Sequence, residues 1–187
     1  DREVDVVIPI ARAVIDVGSV KGWRRSGAGE NDWDYFIDPE NRVGYVRITQ
    51  FTEDTSRDLD RAIAQMRAAG LSGLILDLRF NPGGLLDQAV GVVSRFVDRG
   101  VVVTTRGQGG RVEQQERVLP QRATLAGVPV VVLVNEGSAS ASEIVAGALQ
   151  DHAREGRVRA VVVGDRSYGK GSVQNVWPLG ASAAIKV

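Results

Sequence analysis

Three short segments concentrate the residues whose types could do chemistry. In Gly137-Ser138-Ala139-Ser140-Ala141-Ser142-Glu143, small residues crowd the passage from an apolar run into a helical pattern. A serine there is presented at a helix N-terminus, where exposed N–H groups stabilise developing negative charge. The same residues also suit plain capping, with Ser138 as the cap and Glu143 favoured by the dipole of the first turn. In Asn81-Pro82-Gly83-Gly84, the paired glycines let backbone N–H groups face a cavity with no Cβ in the way. Leu85 then opens a helix, so this turn could hold an oxyanion or a phosphate, or be a tight turn that merely needs glycine.

The third segment, Gly164-Asp165-Arg166-Ser167-Tyr168-Gly169-Lys170-Gly171-Ser172, nearly spells a phosphate-binding P-loop. Gly164, Gly169 and Lys170 fit that pattern. However, Gly171 displaces the magnesium-binding hydroxyl by one position. The following Val173-Gln174-Asn175-Val176-Trp177-Pro178 reads as β, whereas a P-loop must open a helix. Nucleotide binding is therefore set aside, and the open readings are a surface loop with a solvated lysine or a lysine with a chemical role.

A nucleophilic serine needs a proton acceptor. The one histidine, His152, lies twelve residues beyond Ser140 on or near the same helix. That is roughly 18 Å at 1.5 Å per residue, far beyond hydrogen-bond reach. Asp151 fails in the same way at roughly 16 Å. His152 reads instead as a helix C-terminal residue whose partial positive charge suits the dipole. Lys170 remains. The chain has only three lysines against twenty arginines, and a lysine, unlike an arginine, can give up its proton when buried. A serine–lysine pair is a known variant of the Ser-His-Asp arrangement, and the Asn81–Gly84 turn would supply oxyanion donors.

These segments need elements to position them. Glu3 to Ile8 reads as a strand, and Trp33 to Ile37 with Val43 to Ile48 as a hairpin around Asp38-Pro39-Glu40-Asn41. Leu59, Ile63 and Met66 recur at helical spacing within a helix over 55–69, capped by Asp54 or Thr55 and ended by Gly70. A strand over 73–78 precedes the glycine turn, with a helix over 85–97 after it and a strand over 101–105. Residues 106–116 read as an exposed loop or hairpin tip. The Val-rich run 128–134 implies a parallel strand covered on both faces, followed by a helix over 139–150 and a strand over 158–163. Strands alternating with helices imply an α/β fold with a mainly parallel sheet. The three segments then sit at the carboxyl ends of strands, where such sheets gather ligands.

With these motifs quoted, the chain resembles the carboxyl-terminal processing, or tail-specific, proteases. Val43-Gly44-Tyr45-Val46-Arg47-Ile48-Thr49-Gln50-Phe51 resembles one family block. LILDLRFNPGGLL (74–86) is close to the glycine-turn block, NEGSASASEIVAGALQD (135–151) to the nucleophile block, and GDRSYGKGSVQ (164–174) to the lysine block. The resemblance implies a crotonase/Clp-protease-like α/β fold: a mainly parallel sheet with helices on its faces and flanking β segments. It implies Ser140 as nucleophile, Lys170 as general base and Gln174 as that lysine's support. The backbone N–H of Ala141 and of Gly83 or Gly84 would form the oxyanion hole, with Ser142 and Asp151 structural. The stretch 151–158 is longer than the family pattern and is expected to form an extended surface loop.

The resemblance further implies a serine endopeptidase cleaving proteins at or near their carboxyl termini, with no metal or organic cofactor. Its partner would be a protein or peptide substrate bound extended by its carboxyl-terminal region. The setting would be extracytoplasmic, in the bacterial periplasm or envelope. Residues 1–187 would be a protease core domain and a fragment, with a PDZ module and a C-terminal continuation expected in the parent chain. Composition agrees with a globular domain: 187 residues, 43% hydrophobic and 25% charged. With 23 basic and 23 acidic residues the net charge is zero, which argues against general nucleic-acid binding. The absence of cysteine excludes thiol catalysis and disulfides. Two rivals stay open: a non-catalytic peptide-binding or scaffold relative, and a crotonase-like acyl-CoA enzyme.

Overall fold

The computed structural model describes residues 18–29, 31–172, 176–178 and 184–186. The expected strand at 3–8 and Gln174 lie outside the described residues. In chain order the elements begin with β1 (Val20–Lys21), β2 (Arg24–Arg25), β3 (Trp33–Asp34), β4 (Phe36–Asp38) and β5 (Val43–Ile48). Then come α1 (Thr55–Ala68), β6 (Gly73–Asp77), α2 (Leu86–Val93), β7 (Val101–Arg106) and β8 (Val112–Arg117). The chain continues through β9 (Val130–Val134), α3 (Ala141–Arg154), β10 (Ala160–Gly164), β11 (Val176–Pro178) and β12 (Ala184–Lys186).

The main sheet has the order β1-β5-β6-β9-β10, with β4 also paired to β5. Strands β5, β6, β9 and β10 run parallel, while β1 and β4 are antiparallel to β5. The expected hairpin forms as β4–β5, its turn held by Asp38 Oδ1 accepting the Asn41 N–H at 3.0 Å. Residues 106–116 form the tip and second strand of the separate two-stranded hairpin β7–β8. The two short strands β11 and β12 pair with each other.

The order of the parallel strands never reverses along the chain. Crossovers of one hand therefore place successive helices on the same side of the sheet. Alternate residues show it. Val46, Leu74, Leu76, Val130, Val132 and Val134 are buried together with Leu59, Ala62, Ile63 and Met66 of α1. From α2, Ala89, Val90, Val92 and Val93 join this core, and from α3, Val145, Ala148 and Leu149. On the opposite face Ile75, Val131 and Leu133 are half-buried, and Val161 and Val163 are exposed. The described helices thus cover one face, where the Val-rich run implied cover on both.

Helix boundaries differ from the pattern in two places. The helix over 85–97 shortens to α2, and turns carry Ser94 to Val97 into the core. The helix over 139–150 starts two residues later and runs on through Arg154. The long stretch 151–158 is thus not an extended loop: it is the last turn of α3 followed by a compact turn at Glu155–Arg157. The reason is local. His152 is buried on the inner face of that last turn, which extends the apolar stripe of α3.

Candidate active site

The three chemistry-bearing segments follow β6, β9 and β10, which are adjacent in the sheet. Neighbouring strands lie roughly 4.8 Å apart, so their carboxyl-end turns fall side by side. The turn after β6 is built on Asn81, which is fully buried. Its Nδ2 donates to Ile48 O at 2.8 Å and its Oδ1 accepts the Gly83 N–H at 2.9 Å. Its carbonyl accepts from Ala139 N (3.0 Å) and from Ser142 Oγ (3.0 Å). One asparagine therefore fastens the glycine turn to β5 on one side and to the serine run on the other.

The two turns meet backbone to backbone. Gly83 has φ +99°, and a Cβ there would lie 2.7 Å from Ala139 O and 2.7 Å from Ser140 Cβ. Only glycine fits that approach. Gly84, at φ +142°, bridges to Phe51 in parallel fashion, and a Cβ there would collide with the Phe51 carbonyl. With Asn81 taking the Gly83 N–H, the N–H groups of Gly84 and Ala141 have no hydrogen-bond partner among the described residues.

Of the three serines, two are turned into the fold. Ser138 Oγ donates to Leu78 O at 2.8 Å and accepts the Asn135 N–H at 3.0 Å. Ser142 Oγ bonds Asn81 O, and both residues are fully buried. Ser140 differs. It occupies the N-cap position of α3 with φ +56° and ψ −115°. A non-glycine residue with such a φ is held under strain, at a cost of about 1–3 kcal/mol. Ser140 and Lys170 both line one groove of about 960 Å³, together with Gly84, Leu85, Leu86 and Ala141. Residues Val103 to Arg106, with Glu113 and Gln114, form its wall from the β7–β8 hairpin.

Glu143 ties Lys170 to this place. Its Oε2 accepts the N–H of Ser140 (2.8 Å) and that of Lys170 (3.0 Å). Its Oε1 accepts the N–H of Gly169 (2.6 Å) and the hydroxyl of Ser167 (2.8 Å). Burial alone would push this carboxyl up. The donors from Ser167, Gly169, Ser140 and Lys170 outweigh it and hold Glu143 below the ordinary glutamate value. Away from these bonds, Asp77 at the end of β6 is fully buried, gripped by Arg79 Nη2 (2.7 Å) and by the Tyr45 hydroxyl (2.7 Å). Burial and then the bond to Asp77 push the Tyr45 phenol up to about 12.

The remaining candidates lie elsewhere. Asp151 is exposed and pairs with Arg154 at 3.0 Å, outside the groove. His152 lies in the last turn of α3, as expected of a helix C-terminal residue, and is buried there. Arg157 Nη1 lies 2.8 Å from Nδ1, and Nε2 lies 2.9 Å from Val101 O. Arginine can only donate, so Nδ1 accepts from Arg157 and Nε2 faces the Val101 carbonyl as the donor. Its work is to join α3 to β7. Sequence reasoning found Ser140, Lys170 and the glycines but missed the hubs Asn81 and Glu143. The signal for Glu143 was present as an acid in the first turn after the cap expected at Ser138, and it was legible only as suiting the helix dipole; the cap itself falls at Ser140.

Comparison with known proteins places these features in context. Residues 42–187 match peptidase family S41. The carboxy-terminal-processing protease of Bartonella bacilliformis is 47% identical over 195 aligned positions, covering 100% of this chain and 39% of that relative. The carboxy-terminal processing protease of Bacillus subtilis is 35% identical over 149 positions, covering 79% of this chain and 30% of that protein. Among solved structures, a photosystem II D1 C-terminal processing protease superposes with a TM-score of 0.68 at 36% identity. That match covers 78% of this chain and 36% of the solved one. The chain thus spans 39% or less of each of these relatives.

Proposed function

The chain belongs to peptidase family S41, and from that premise we propose that it carries the catalytic core of a serine endopeptidase acting at or near protein carboxyl termini through Ser140 and Lys170. One observation carries this reading. The strained Ser140 and the glycine-flanked Lys170 line the same groove, and Glu143 ties the backbone of both to one carboxylate.

In the proposed reaction the neutral Lys170 amine takes the Ser140 hydroxyl proton as Oγ attacks the substrate carbonyl. The oxyanion is received by the N–H groups of Ala141 and Gly84. Both residues line the groove, whereas the Gly83 N–H is taken by Asn81. The lysine ammonium then protonates the leaving amine, and an acyl-enzyme remains on Ser140. Water, activated by the same lysine, releases it. Gln174, implied as the support of Lys170, lies outside the described residues. The substrate would lie extended along the groove, with its carboxyl-terminal side bound. A PDZ module in the parent chain and an extracytoplasmic setting complete the proposal.

The test is cleavage of an unstructured protein with an apolar carboxyl terminus by the full-length protein, beside Ser140→Ala and Lys170→Ala. Both variants are expected to lose at least about 10³-fold in kcat while keeping their thermal unfolding midpoint. Cleavage that survives Lys170→Ala overturns the dyad. A folded parent that cleaves nothing favours the peptide-binding relative.

A further inference from the structure

We propose that Glu143 is a positioning residue that clamps the Lys170 loop onto the nucleophile turn, so that the general base is in place only while this carboxylate holds both. The inference rests on the Ser140–Lys170 reading and adds a residue to it.

The geometry is specific. Four donors converge on one carboxylate, two on each oxygen. One of them, the Ser140 N–H, belongs to the strained residue at the N-cap of α3. The other three belong to residues 167–170, across a sequence gap of 24 to 27 residues. A glutamate that merely capped its own helix would take the Ser140 N–H alone.

Two backbone bonds also tie the loop to the nucleophile's strand and turn. The Asp165 N–H reaches Val134 O at 3.2 Å, and the Tyr168 N–H reaches Ser138 O at 3.0 Å. Gly169 and Gly171 have nothing packed where a side chain would be. Two of the bonds to Glu143 hold the backbone at Gly169 and Lys170 directly, and the third holds the Ser167 hydroxyl two residues before Gly169. Since all four partners are donors, both oxygens must accept, and only an ionised carboxylate does so. An amide of the same shape would turn an NH₂ group against two of the four.

Glu143→Gln in the full-length protein separates a clamp from a cap. Two readouts are taken, amide hydrogen exchange and the rate at which a fluorophosphonate labels Ser140. A clamp predicts that exchange at Gly169 and Lys170 quickens at least 10-fold while β10 is unchanged. It also predicts that the labelling rate per folded molecule falls at least 10-fold, with the final stoichiometry still complete. A cap alone predicts a lowered unfolding midpoint with both readouts unchanged, and that result overturns the clamp. Ser167→Ala removes one donor and serves if Glu143→Gln does not fold. It is expected to quicken exchange at Gly169 and Lys170 by 2- to 3-fold, and no change there overturns the proposal. A parent that is not labelled at Ser140 overturns the dyad, and with it the catalytic meaning of the clamp. The exchange readout still tests the clamp itself.

Discussion

Ser140 combines a non-glycine residue at φ +56° with the N-cap of a helix, and its neighbours explain how that is sustained. Asn81 accepts the Ala139 N–H, Glu143 accepts the Ser140 N–H, and Gly83 leaves room for the Ser140 Cβ. The strain is held by backbone contacts on three sides. Gly83 is therefore a position where one added methyl group presses directly on the nucleophile. Gly83→Ala would force the glycine turn and the serine run apart by several tenths of an ångström or more. The expected outcome is a loss of about 1–3 kcal/mol of stability, read from urea unfolding. Cleavage should fall by roughly 10²-fold, because misplacing catalytic groups by about 1 Å costs that much. A variant that loses stability but keeps its rate per folded molecule would show that the contact serves folding only.

At the scale of elements, α1 and α2 are locked by Arg95, which follows α2 and is fully buried. It donates to both oxygens of Asp60 on α1 (2.9 and 2.7 Å), to Ser56 O (3.1 Å) and to Gly91 O. Asp60 is half exposed, so solvent shares in the pairing and reduces its worth. Removing it still leaves a buried guanidinium with carbonyls alone. Asp60→Ala should cost about 1–3 kcal/mol by urea unfolding, with cleavage per folded molecule unchanged, since this lock lies away from the groove. His152 plays the matching part between α3 and β7. These locks matter to function through what they hold: α2 and α3 start at the two turns that meet at Ser140, and β7 walls the groove.

Across the whole molecule, buried ionisable groups set the pH range of stability. Burial raises the Asp77 carboxyl, and the bonds from Arg79 and Tyr45 outweigh it, so its folded value lies below the ordinary one. Glu143 is lowered as well. Such groups add stability above the ordinary carboxylate range and lose it as pH falls through the lowered values. Tyr45 works in the opposite direction: its contribution is complete below about pH 10 and lost on the way to about 12. Urea midpoints measured against pH should form a plateau that falls at both ends, and Tyr45→Phe should flatten the alkaline fall. The same variant should cost about 1–2 kcal/mol at neutral pH, because the buried Asp77 then lacks one donor.

Local structure was legible along the chain. Helical spacing at Leu59, Ile63 and Met66, turn chemistry at Asp38–Asn41, and paired glycines after a strand each act within a few residues. The elements and the chemistry-bearing segments were therefore legible, as was the resemblance those segments carry. Which groups meet depends on the packing of distant segments. The unreversed order β5-β6-β9-β10 put the helices on one face and brought three turns together. Packing put His152 between Val101 and Arg157, residues 51 positions before it and 5 after. Convergence of four donors from two distant segments turned Glu143 from a helix cap into a bridge. Spacing along a chain fixes which side chains share a face. It does not fix which segments are adjacent, because that follows from how strands order themselves in the sheet.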